Sequence, residues 1–480
     1  MNLSALQTTL ATLQTRPTKS LGQNFLHDET VAAWIVNQLD LRPEDHLVEV
    51  GPGLGALTEF AVDQCRSTTL IEKDGRLAGF LKERFAGNPN VETLHLDALD
   101  YDLRGLFQYG PTKVLGNLPY YVSSQVLFAF TADPSPVGRL VFTLQKEMAQ
   151  RLSAEPSTKE YGAITLLVGR RWRVRYLRTL PGSVFLPAPN VESGVIVLTP
   201  RDQSELPDCD GRLFNRLVKE GFAQRRKMLR NMLATHHLDW SALCAAIGAQ
   251  ETVRGEALSL RQWVELTRFV ENAGDPEKFN AKAQDVHGEI FDFVDDENRV
   301  IGQASRSKVH TQKLKHRAVH ILVFNAKGDL FLQKRSRYKD ANPGLWDSSA
   351  AGHLETGSGY AETAARELQE ELGVSAPLEL IGTHPASRET GWEFVQVYRT
   401  QHPGPFTWPR AEIESGLFFP VDLIDRWTAA RPQDFSHSFL ASYRLWREGD
   451  REKTLEGKTV ESGRLGSGKG RGPSHLATLS

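Results

Sequence analysis

The sequence predicts an α/β protein of two units, of which the first is a parallel, doubly wound sheet followed by a small helical lobe. Three observations lead to this prediction. A chain of 480 residues exceeds what one hydrophobic core usually organises. Short β-rich runs alternate with helical patterns through residues 1–150, which is typical of parallel sheets. A polar stretch near residues 272–284 then precedes a second region of alternating strands and helices.

The predicted strands are short apolar runs bounded by turn residues. In the first unit they are His46–Val50, Thr68–Glu72, Val91–Leu96, Lys113–Leu115, Arg139–Leu144, Ile164–Val168, Arg173–Leu180 and Val195–Leu198. In the second unit they include Val319–Phe324 and Leu330–Gln333. The predicted boundaries are 1–204 for the first α/β domain, 205–272 for the helical lobe, 273–284 for a linker, 285–450 for the second α/β domain and 451–480 for a disordered tail rich in Gly, Ser and Lys.

The composition is that of an ordinary globular protein, with 40% hydrophobic and 24% charged residues. The three cysteines, Cys65, Cys209 and Cys244, form no CxxC pair, which favours a reducing compartment and argues against a cysteine-based zinc site. No apolar run approaches the roughly 20 residues of a membrane span. We therefore expect a cytoplasmic protein without a membrane partner.

Charge is distributed unevenly along the first unit. Residues 1–138 carry 10 basic and 16 acidic side chains, whereas residues 139–230 carry 17 basic and 9 acidic side chains, a net charge of +8. Five arginines of the second stretch lie close together, at Arg170, Arg171, Arg173, Arg175 and Arg178. Such a stretch attracts a polyanion, and the alternative is a solvated charged face without a ligand.

A glycine-rich turn, Glu49-Val50-Gly51-Pro52-Gly53-Leu54-Gly55, joins the first predicted strand to a helix. Its glycines allow a ligand to approach the backbone at the carboxyl edge of the sheet. Glu72 ends the next strand, where an acid can accept hydrogen bonds from both hydroxyls of a ribose. These features suit NAD equally. The acid before the first glycine, together with Asp97 after the third strand, where it can meet an adenine amine, favours S-adenosylmethionine.

The segment Asn117-Leu118-Pro119-Tyr120 directly follows the fourth predicted strand. A nucleobase amine is a poor nucleophile because its lone pair is delocalised into the ring. The Asn117 side-chain oxygen and the Leu118 carbonyl can accept the two amine protons, and Pro119 fixes the backbone that carries them. Tyr120 can stack on a flipped-out adenine, which is worth about 1 to 3 kcal/mol. The segment therefore predicts methylation of adenine N6 by positioning and fixed dipoles, and a plain turn is the alternative.

Three further segments complete a family resemblance. They are Lys19-Ser20-Leu21-Gly22-Gln23-Asn24-Phe25-Leu26, Phe185-Leu186-Pro187-Ala188-Pro189-Asn190-Val191-Glu192-Ser193 and Phe222-Ala223-Gln224-Arg225-Arg226-Lys227-Met228-Leu229-Arg230-Asn231. With the preceding motifs, they make residues 18–270 resemble the bacterial small-subunit rRNA adenine dimethyltransferases, whose sheet is Rossmann-like. The GQNFL, NLPY and FxPxP forms together favour this family over the macrolide-resistance methyltransferases of large-subunit RNA, which share most of these motifs.

The resemblance implies a role for each candidate residue. The cofactor pocket would be lined by Asn24, Leu26, Gly51, Gly53, Glu72, Asp97 and Asn117. The target base would be held by Asn117, Leu118, Pro119, Tyr120 and Phe185, with Phe185 beside the base as the partner of Tyr120. RNA phosphates would be contacted from one helix by Arg225, Arg226, Lys227 and Arg230. The implied substrate is a pair of adjacent adenines near the 3' end of small-subunit rRNA in an assembling 30S subunit, recognised by RNA shape.

A second motif lies in the C-terminal unit. Gly352-His353-Leu354-Glu355-Thr356-Gly357-Ser358 and Arg366-Glu367-Leu368-Gln369-Glu370-Glu371-Leu372-Gly373-Val374 match the Nudix box, except that Ser358 stands at its first glutamate. A helix would place Glu367, Glu370 and Glu371 on one face, where their carboxylates repel one another without a cation. Such hard oxygen ligands suit Mg²⁺ or Mn²⁺ bound with a diphosphate, and a solvated Glu-rich helix is the alternative.

Residues 285–445 also resemble the Nudix branch related to isopentenyl-diphosphate isomerase, an α/β/α fold. The resemblance is carried by His316-Arg317-Ala318-Val319-His320, Leu332-Gln333-Lys334-Arg335-Ser336 and Lys339-Asp340-Ala341-Asn342-Pro343-Gly344-Leu345-Trp346-Asp347. The isomerase uses a cysteine before the glycine-histidine pair, where this chain has Ala350 and Ala351, so the implied activity is hydrolysis of a diphosphate-containing small molecule. In the family the first box glutamate supports the arginine, so Ser358 either lowers the activity or shifts this part to Glu355.

We therefore predict an enzyme that dimethylates small-subunit rRNA with S-adenosylmethionine, fused to a metal-dependent Nudix diphosphate hydrolase. The competing prediction is an RNA-binding checkpoint of ribosome assembly that has lost catalysis and carries a silent Nudix module. The intact Asn117, Pro119 and Tyr120 argue against that loss.

Overall fold

The computed structural model describes residues 1–18, 22–272, 290–336, 339 and 341–464, with only the backbone described at residues 203 and 451–464. The chain divides into two compact units, Met1–Lys282 and Ala283–Ser480. The predicted linker at residues 273–284 lies outside the described residues, as do Lys19, Ser20 and Leu21 of the N-terminal motif. Among the described helices, none is long and apolar enough to cross a membrane.

The first unit is built on a mixed seven-stranded sheet. Two short strands, β1 (Phe25–Leu26) and β8 (Phe185–Leu186), pair with each other outside this sheet. The strands of the sheet are β2 (His46–Val50), β3 (Ser67–Glu72), β4 (Val91–His95), β5 (Thr112–Asn117), β6 (Val137–Gln145), β7 (Trp172–Leu180) and β9 (Ser193–Pro200). The sheet order is β4-β3-β2-β5-β6-β9-β7, and only β9 runs against its neighbours. The strand order reverses between β2 and β5, which is where ligands bind in such sheets.

Helices cover both faces of this sheet and form the lobe that follows it. They are α1 (Leu3–Thr12), α2 (Glu29–Asn37), α3 (Thr58–Ala61), α4 (Gly75–Arg84), α5 (Ser123–Phe130), α6 (Lys146–Leu152), α7 (Ala163–Gly169), α8 (Gly211–Gly221), α9 (Leu229–Met232), α10 (Trp240–Ile247) and α11 (Leu260–Asn272). Along β2, Leu47 packs in one hydrophobic core and Val48 in the other. This alternation places a buried layer on each face of the strand.

One strand prediction is wrong, because Ile164–Val168 lies in helix α7. A short apolar run fits a buried strand or a buried helix equally well, so periodicity could not separate the two. Leu166 packs with Phe214 and Trp263 in the core of the helical lobe. The lobe thus draws part of its core from α7, on the N-terminal side of the boundary predicted at residue 205.

The second unit contains another seven-stranded sheet and a separate hairpin. Its elements are β10 (Ile290–Val294), β11 (Val300–Ser305), α12 (Arg306–Gln312), β12 (His316–Phe324), β13 (Leu330–Arg335), β14 (Trp346–Asp347), β15 (Ala350–His353), α13 (Tyr360–Leu372), β16 (Glu379–His384), β17 (Glu393–Gln401), β18 (Ile413–Phe419), α14 (Val421–Ala430) and α15 (His437–Arg464). The hairpin is β10-β11, and β12 and β17 form the parallel pair of the sheet.

The last helix differs from the prediction for the C-terminal tail. We expected disorder from residue 451, but α15 continues through Arg464, and residues 465–480 lie outside the described part of the chain. The reason lies in local composition, because half of residues 451–464 are Glu, Lys or Arg, which are good helix formers. The Gly and Ser content that suggested disorder is concentrated further along the tail.

Candidate active sites

A cavity opens at the carboxyl edge of the first sheet, at the point where the strand order reverses. Every predicted cofactor and base-binding residue lines it: Asn24, Leu26, Gly51, Gly53, Glu72, Asp97, Asn117, Leu118, Pro119, Tyr120 and Phe185. These residues come from the ends of β2, β3, β4 and β5 and from the two short strands β1 and β8. Parallel strands end at the same edge, which is why motifs distant in the chain meet here.

The β1-β8 pair joins the N-terminal motif to the FxPxP motif. Leu26 pairs with Phe185, and the His27 N–H donates to the Val184 carbonyl at 3.0 Å. The Asn24 carbonyl, just before this pair, accepts a hydrogen bond of 3.0 Å from Asn117 Nδ2. This hydrogen bond uses the amide nitrogen of Asn117, a residue that lines the cavity, and leaves its Oδ1 as an acceptor.

The glycine turn requires glycine for conformation and for space. Gly51 and Gly53 have φ values of +65° and +60°, in the left-handed region that side chains disfavour. A Cβ atom on Gly53 would also lie 3.0 Å from the Phe25 ring. The Gly53 N–H donates to Glu72 Oε2 at 3.0 Å, so the turn and the end of β3 are held together.

The two acids of the predicted cofactor pocket are each held by their own partner. Glu72 is buried and accepts hydrogen bonds from the backbone N–H groups of Gly53 and Asp74, while its burial raises its pKa. Asp97 forms an ion pair with Lys73 at 2.6 Å, and that hydrogen bond lowers the pKa of the Asp97 carboxyl. The Lys73 side chain is half exposed, so water can solvate its ammonium group if a ligand amine takes its place at Asp97.

The aromatic residues predicted to flank the target base are fixed by their surroundings. The Tyr120 hydroxyl and the Ser193 hydroxyl lie 2.7 Å apart, which ties the ring to the start of β9. Phe185 is 4% exposed and packs with the core under the β1-β8 pair. Both side chains line the cavity and are held by contacts within the protein.

The cavity lining also includes residues that were not predicted as site residues, and three of them, Glu49, Lys73 and Tyr121, have ionisable side chains. Glu49 is buried, accepts a hydrogen bond of 2.6 Å from the Thr58 hydroxyl, and its burial raises its pKa to about 7. Lys73 and Tyr121 also line the cavity, and Tyr121 is 54% exposed. Only Glu49 had a sequence signal, as the acid before the first glycine of the turn.

The predicted RNA-binding segment is not one helix. Helix α8 ends at Gly221, residues 222–228 form a turn, and α9 begins at Leu229. The helix stops where Gly221 packs so closely against the Trp263 ring that a side chain would clash. The predicted residues Arg225, Arg226, Lys227 and Arg230 are all exposed.

Arg225 differs from its neighbours in that segment because it has partners within the protein. Its guanidinium forms an ion pair with Glu256 and donates to the backbone carbonyls of Thr158 and Lys159. Arg225 therefore ties the turn to the rest of the lobe, which the sequence motif did not indicate.

The arginine-rich stretch around β7 is also largely occupied by contacts within the protein. Arg170 lies 5.7 Å from the Phe214 ring centroid, Arg178 lies 4.5 Å from the Trp34 ring centroid, Arg171 pairs with Asp133, and Arg173 pairs with Glu205 at 2.7 Å. Two of these arginines are therefore ion-paired, and two lie against aromatic rings, which leave their positive charge in place.

In the second unit, the box glutamates lie on one helix as predicted from their spacing. Glu371 is buried and accepts hydrogen bonds from the Ala351 N–H at 3.0 Å and from Gln333 Nε2 at 3.2 Å. The Glu367 carboxylate lies over Gly352, where any side chain would clash with it. Burial and the neighbouring Glu371 raise the pKa of Glu367 to about 8, so the arrangement fits a divalent cation that would relieve this repulsion.

The Arg366 guanidinium lies close to three carboxylates of this site. It lies 2.9 Å from Glu367, 2.9 Å from Glu370 and 3.7 Å from Glu355. Glu367 is largely buried, whereas Glu355 and Glu370 are more than half exposed. The arginine therefore connects the helix α13 to the loop that contains Ser358.

A second candidate metal centre lies near the hairpin and was not predicted. The side chains of His310, His316, His353 and Glu393 place their ligand atoms within 4.8 Å of one another. His310 Nε2 and His316 Nε2 are buried without a hydrogen-bond partner among the described residues. Burial lowers the pKa of His310 to about 4, so it stays neutral, as a metal ligand must. These residues lie on four different elements, and no fixed spacing joined them in the sequence.

The fold and the cavity define the first unit as a Rossmann-like methyltransferase. Its residues 15–270 match the family model described as ribosomal RNA adenine dimethylase, and residues 314–439 match the NUDIX domain model. The chain belongs to the ribosomal RNA adenine dimethylase family and has a NUDIX domain after it. The predicted family and the predicted fusion are confirmed, while the link to the isomerase-related Nudix branch stays a prediction.

Relatives match the first unit over nearly their full length. The chain is 42% identical to "Ribosomal RNA small subunit methyltransferase A" of Geobacter metallireducens, covering 53% of this chain and 95% of that protein. It is 38% identical to the protein of the same name from Alkaliphilus metalliredigens, covering 53% of this chain and 92% of that protein. A solved dimethyladenosine transferase from Plasmodium falciparum is 21% identical, with a TM-score of 0.45 over 52% of this chain and 98% of that one.

Proposed function

We propose that the first unit transfers methyl groups from S-adenosylmethionine to N6 of adenine in small-subunit rRNA. The observation that carries this proposal is the hydrogen bond from the Asn117 amide nitrogen to the Asn24 carbonyl. It leaves the amide oxygen of this cavity-lining residue as an acceptor. The relatives named as small-subunit rRNA methyltransferases support the choice of RNA. We propose that the substrate is the pair of adjacent adenines near the 3' end of this RNA in an assembling 30S subunit. Such a substrate implies a cytoplasmic enzyme.

The chain's residues fit the cofactor. Gly51 and Gly53 leave room for it, Glu72 can accept the ribose hydroxyls, and Asp97 can accept the adenine amine. The bound cofactor supplies an electrophilic methyl group on a sulfonium. A side chain at position 53 would clash with the Phe25 ring, so glycine is needed at this edge of the cavity.

The remaining residues prepare the target amine. Asn117 Oδ1 and the Leu118 carbonyl accept its two hydrogens, so the nitrogen lone pair points at the methyl group instead of into the base ring. Tyr120, tied to Ser193, and the buried Phe185 hold the base between them. Exposed Arg226, Lys227 and Arg230 can contact RNA phosphates, with residues 205–272 as the RNA-binding lobe and 1–204 as the catalytic domain.

The test is transfer of labelled methyl groups from S-adenosylmethionine to unmethylated small subunits. Asn117→Ala should lower the rate by about 100- to 1,000-fold, as removal of one fixed dipole does at other active sites. Asn90→Ala, in an exposed turn before β4, is the matched control and should retain the rate. If wild type and Asn117→Ala both bind subunits and neither transfers label, the checkpoint function replaces this proposal.

We propose that the second unit is a diphosphate hydrolase that uses Mg²⁺ or Mn²⁺. Glu367, Glu370 and Glu371 would hold the cation, which activates water and polarises a phosphorus centre when bound. The support is the buried pair Glu367 and Glu371, whose mutual repulsion favours a bound cation. A Mg²⁺-dependent screen of nucleoside and isoprenoid diphosphates should find a substrate for wild type and none for Glu371→Gln. Release of no phosphate from any substrate by wild type would indicate a silent module.

We also propose that His310, His316, His353 and Glu393 bind a divalent transition metal, since imidazole nitrogen favours such ions over Mg²⁺. Element analysis of the purified full chain tests this proposal. His316→Ala should lose about one equivalent of metal, while His437→Ala, an exposed histidine at the start of α15, should lose none. Equal metal content in wild type and His316→Ala would exclude this centre.

A further inference from the structure

We propose that Glu355 replaces the missing box glutamate by drawing Arg366 away from the metal-binding carboxylates. This inference rests on the proposed hydrolase function and adds a positioning residue to it. The box of this chain has Ser358 where a glutamate normally stands, and a serine hydroxyl has no charge to offer the guanidinium. The question is therefore which carboxylate can hold Arg366 when a cation occupies the site.

Arg366 contacts the same oxygens that a cation would need. Its guanidinium lies 2.9 Å from Glu367 Oε1 and 2.9 Å from Glu370 Oε2, and both residues are proposed metal ligands. Arginine keeps its charge at all working pH values, so it competes with the cation unless another acid receives it. Glu355 Oε1 lies 3.7 Å from Arg366 and is the acid of this group outside the proposed ligand set.

The loop that carries Glu355 is held in place from the hairpin side. Glu355 forms an antiparallel bridge with Phe291, the Thr356 hydroxyl donates to the Ile290 carbonyl at 3.2 Å, and the Gly357 N–H donates to Asp292 at 3.2 Å. The Ser358 N–H donates to the Glu355 carbonyl at 3.0 Å, which closes the turn. The backbone is thus fixed, and a small rotation of the exposed Glu355 side chain brings its carboxylate to Arg366.

The same geometry explains how the chain tolerates serine in the box. Glu355 and residue 358 lie at the two ends of one closed turn, and Glu355 Oε1 lies 3.7 Å from Arg366 on α13. One acid is enough to receive the guanidinium. A glutamate restored at position 358 should therefore make Glu355 dispensable.

The experiment is a titration of the full chain with Mn²⁺, following free Mn²⁺ by electron paramagnetic resonance. Sites lost in Glu371→Gln are counted as the box sites, which separates them from the histidine cluster. Glu355→Gln should weaken Mn²⁺ binding at the box sites by about tenfold, the size of effect found for residues that support metal ligands. Glu362→Gln changes an exposed glutamate in the first turn of the same helix, and it should change binding by less than about twofold.

The decisive variant is the double change Glu355→Gln with Ser358→Glu, which should recover the wild-type affinity. Thermal unfolding of each variant confirms that it folds. Unchanged Mn²⁺ affinity in Glu355→Gln, or no recovery in the double variant, would overturn the inference while leaving the hydrolase proposal standing. Absence of any Glu371-dependent Mn²⁺ site in wild type would overturn the metal-dependent hydrolase itself.

Discussion

The two candidate active sites differ in how their acidic side chains are balanced before a ligand binds. In the first unit, Glu72 has two backbone N–H donors and Asp97 has Lys73. In the second unit, one arginine serves Glu355, Glu367 and Glu370 together. The first site is therefore ordered without a ligand and suits chemistry by positioning. The second site packs carboxyl groups whose joint ionisation is unfavourable, and a divalent cation would favour it.

The largest expected effect concerns the unfavourable ionisation of Glu367 in the second site. Glu367 has the ordinary pKa of 4.5 in the unfolded chain and a pKa raised to about 8 in the folded protein. Below pH 4.5 it is protonated in both states, and between pH 4.5 and about 8 it is ionised only in the unfolded state. The free energy of unfolding therefore falls as the pH rises through this range. Without metal, the wild-type protein should lose on the order of 4 kcal/mol of unfolding free energy between pH 5 and 8 because of this group, and Glu367→Gln should not show this loss.

Chemical denaturation of the full chain in the presence of a chelator measures this effect as the difference between wild type and Glu367→Gln. That difference isolates the contribution of Glu367 from the contributions of all other ionisable groups. If both proteins show the same pH dependence, the ionisation of Glu367 is not unfavourable in the folded protein. The difference between the two sites described above would then be wrong.

A smaller effect tests whether the first site works by positioning. Tyr120→Ala removes the stacking face and should lower kcat/KM for methyl transfer by about five- to 150-fold, corresponding to about 1 to 3 kcal/mol. Tyr120→Phe keeps the ring and loses only the bond to Ser193, so it should cost less than about tenfold. If Tyr120→Phe lowers kcat/KM as much as Tyr120→Ala does, the contribution of Tyr120 comes from its hydroxyl and not from stacking.

The smallest effect concerns the ion pair at the cofactor pocket. Lys73→Gln should change the Kd for S-adenosylmethionine by less than about threefold, because an exposed ion pair contributes little. Asp97→Asn should weaken binding more, since it replaces a charged carboxylate acceptor for the adenine amine by a neutral amide with a competing NH2 donor. Calorimetric titration of both variants measures this difference. A tenfold change in Lys73→Gln would show that the first site also depends on a shared charge.

Local sequence predicted the elements well where the pattern had one interpretation. The strand His46–Val50 has the predicted bounds, and the box glutamates share one helical face, because glycine turns and helical spacing act over a few residues. The same reasoning was wrong for Ile164–Val168, where burial in the lobe decided between helix and strand. It also missed the partners of Arg225, which lie far away in the chain.

By itself, the sequence determined which residue types serve each site and the motifs that carry them, because glycine conformation, carboxylate chemistry and short spacings are local properties. Only the tertiary structure decided that the Asn24 carbonyl orients Asn117, that β1 pairs with β8, and that three histidines meet Glu393. These contacts join residues far apart in the chain. Their geometry depends on how whole elements pack, and no local pattern encodes it.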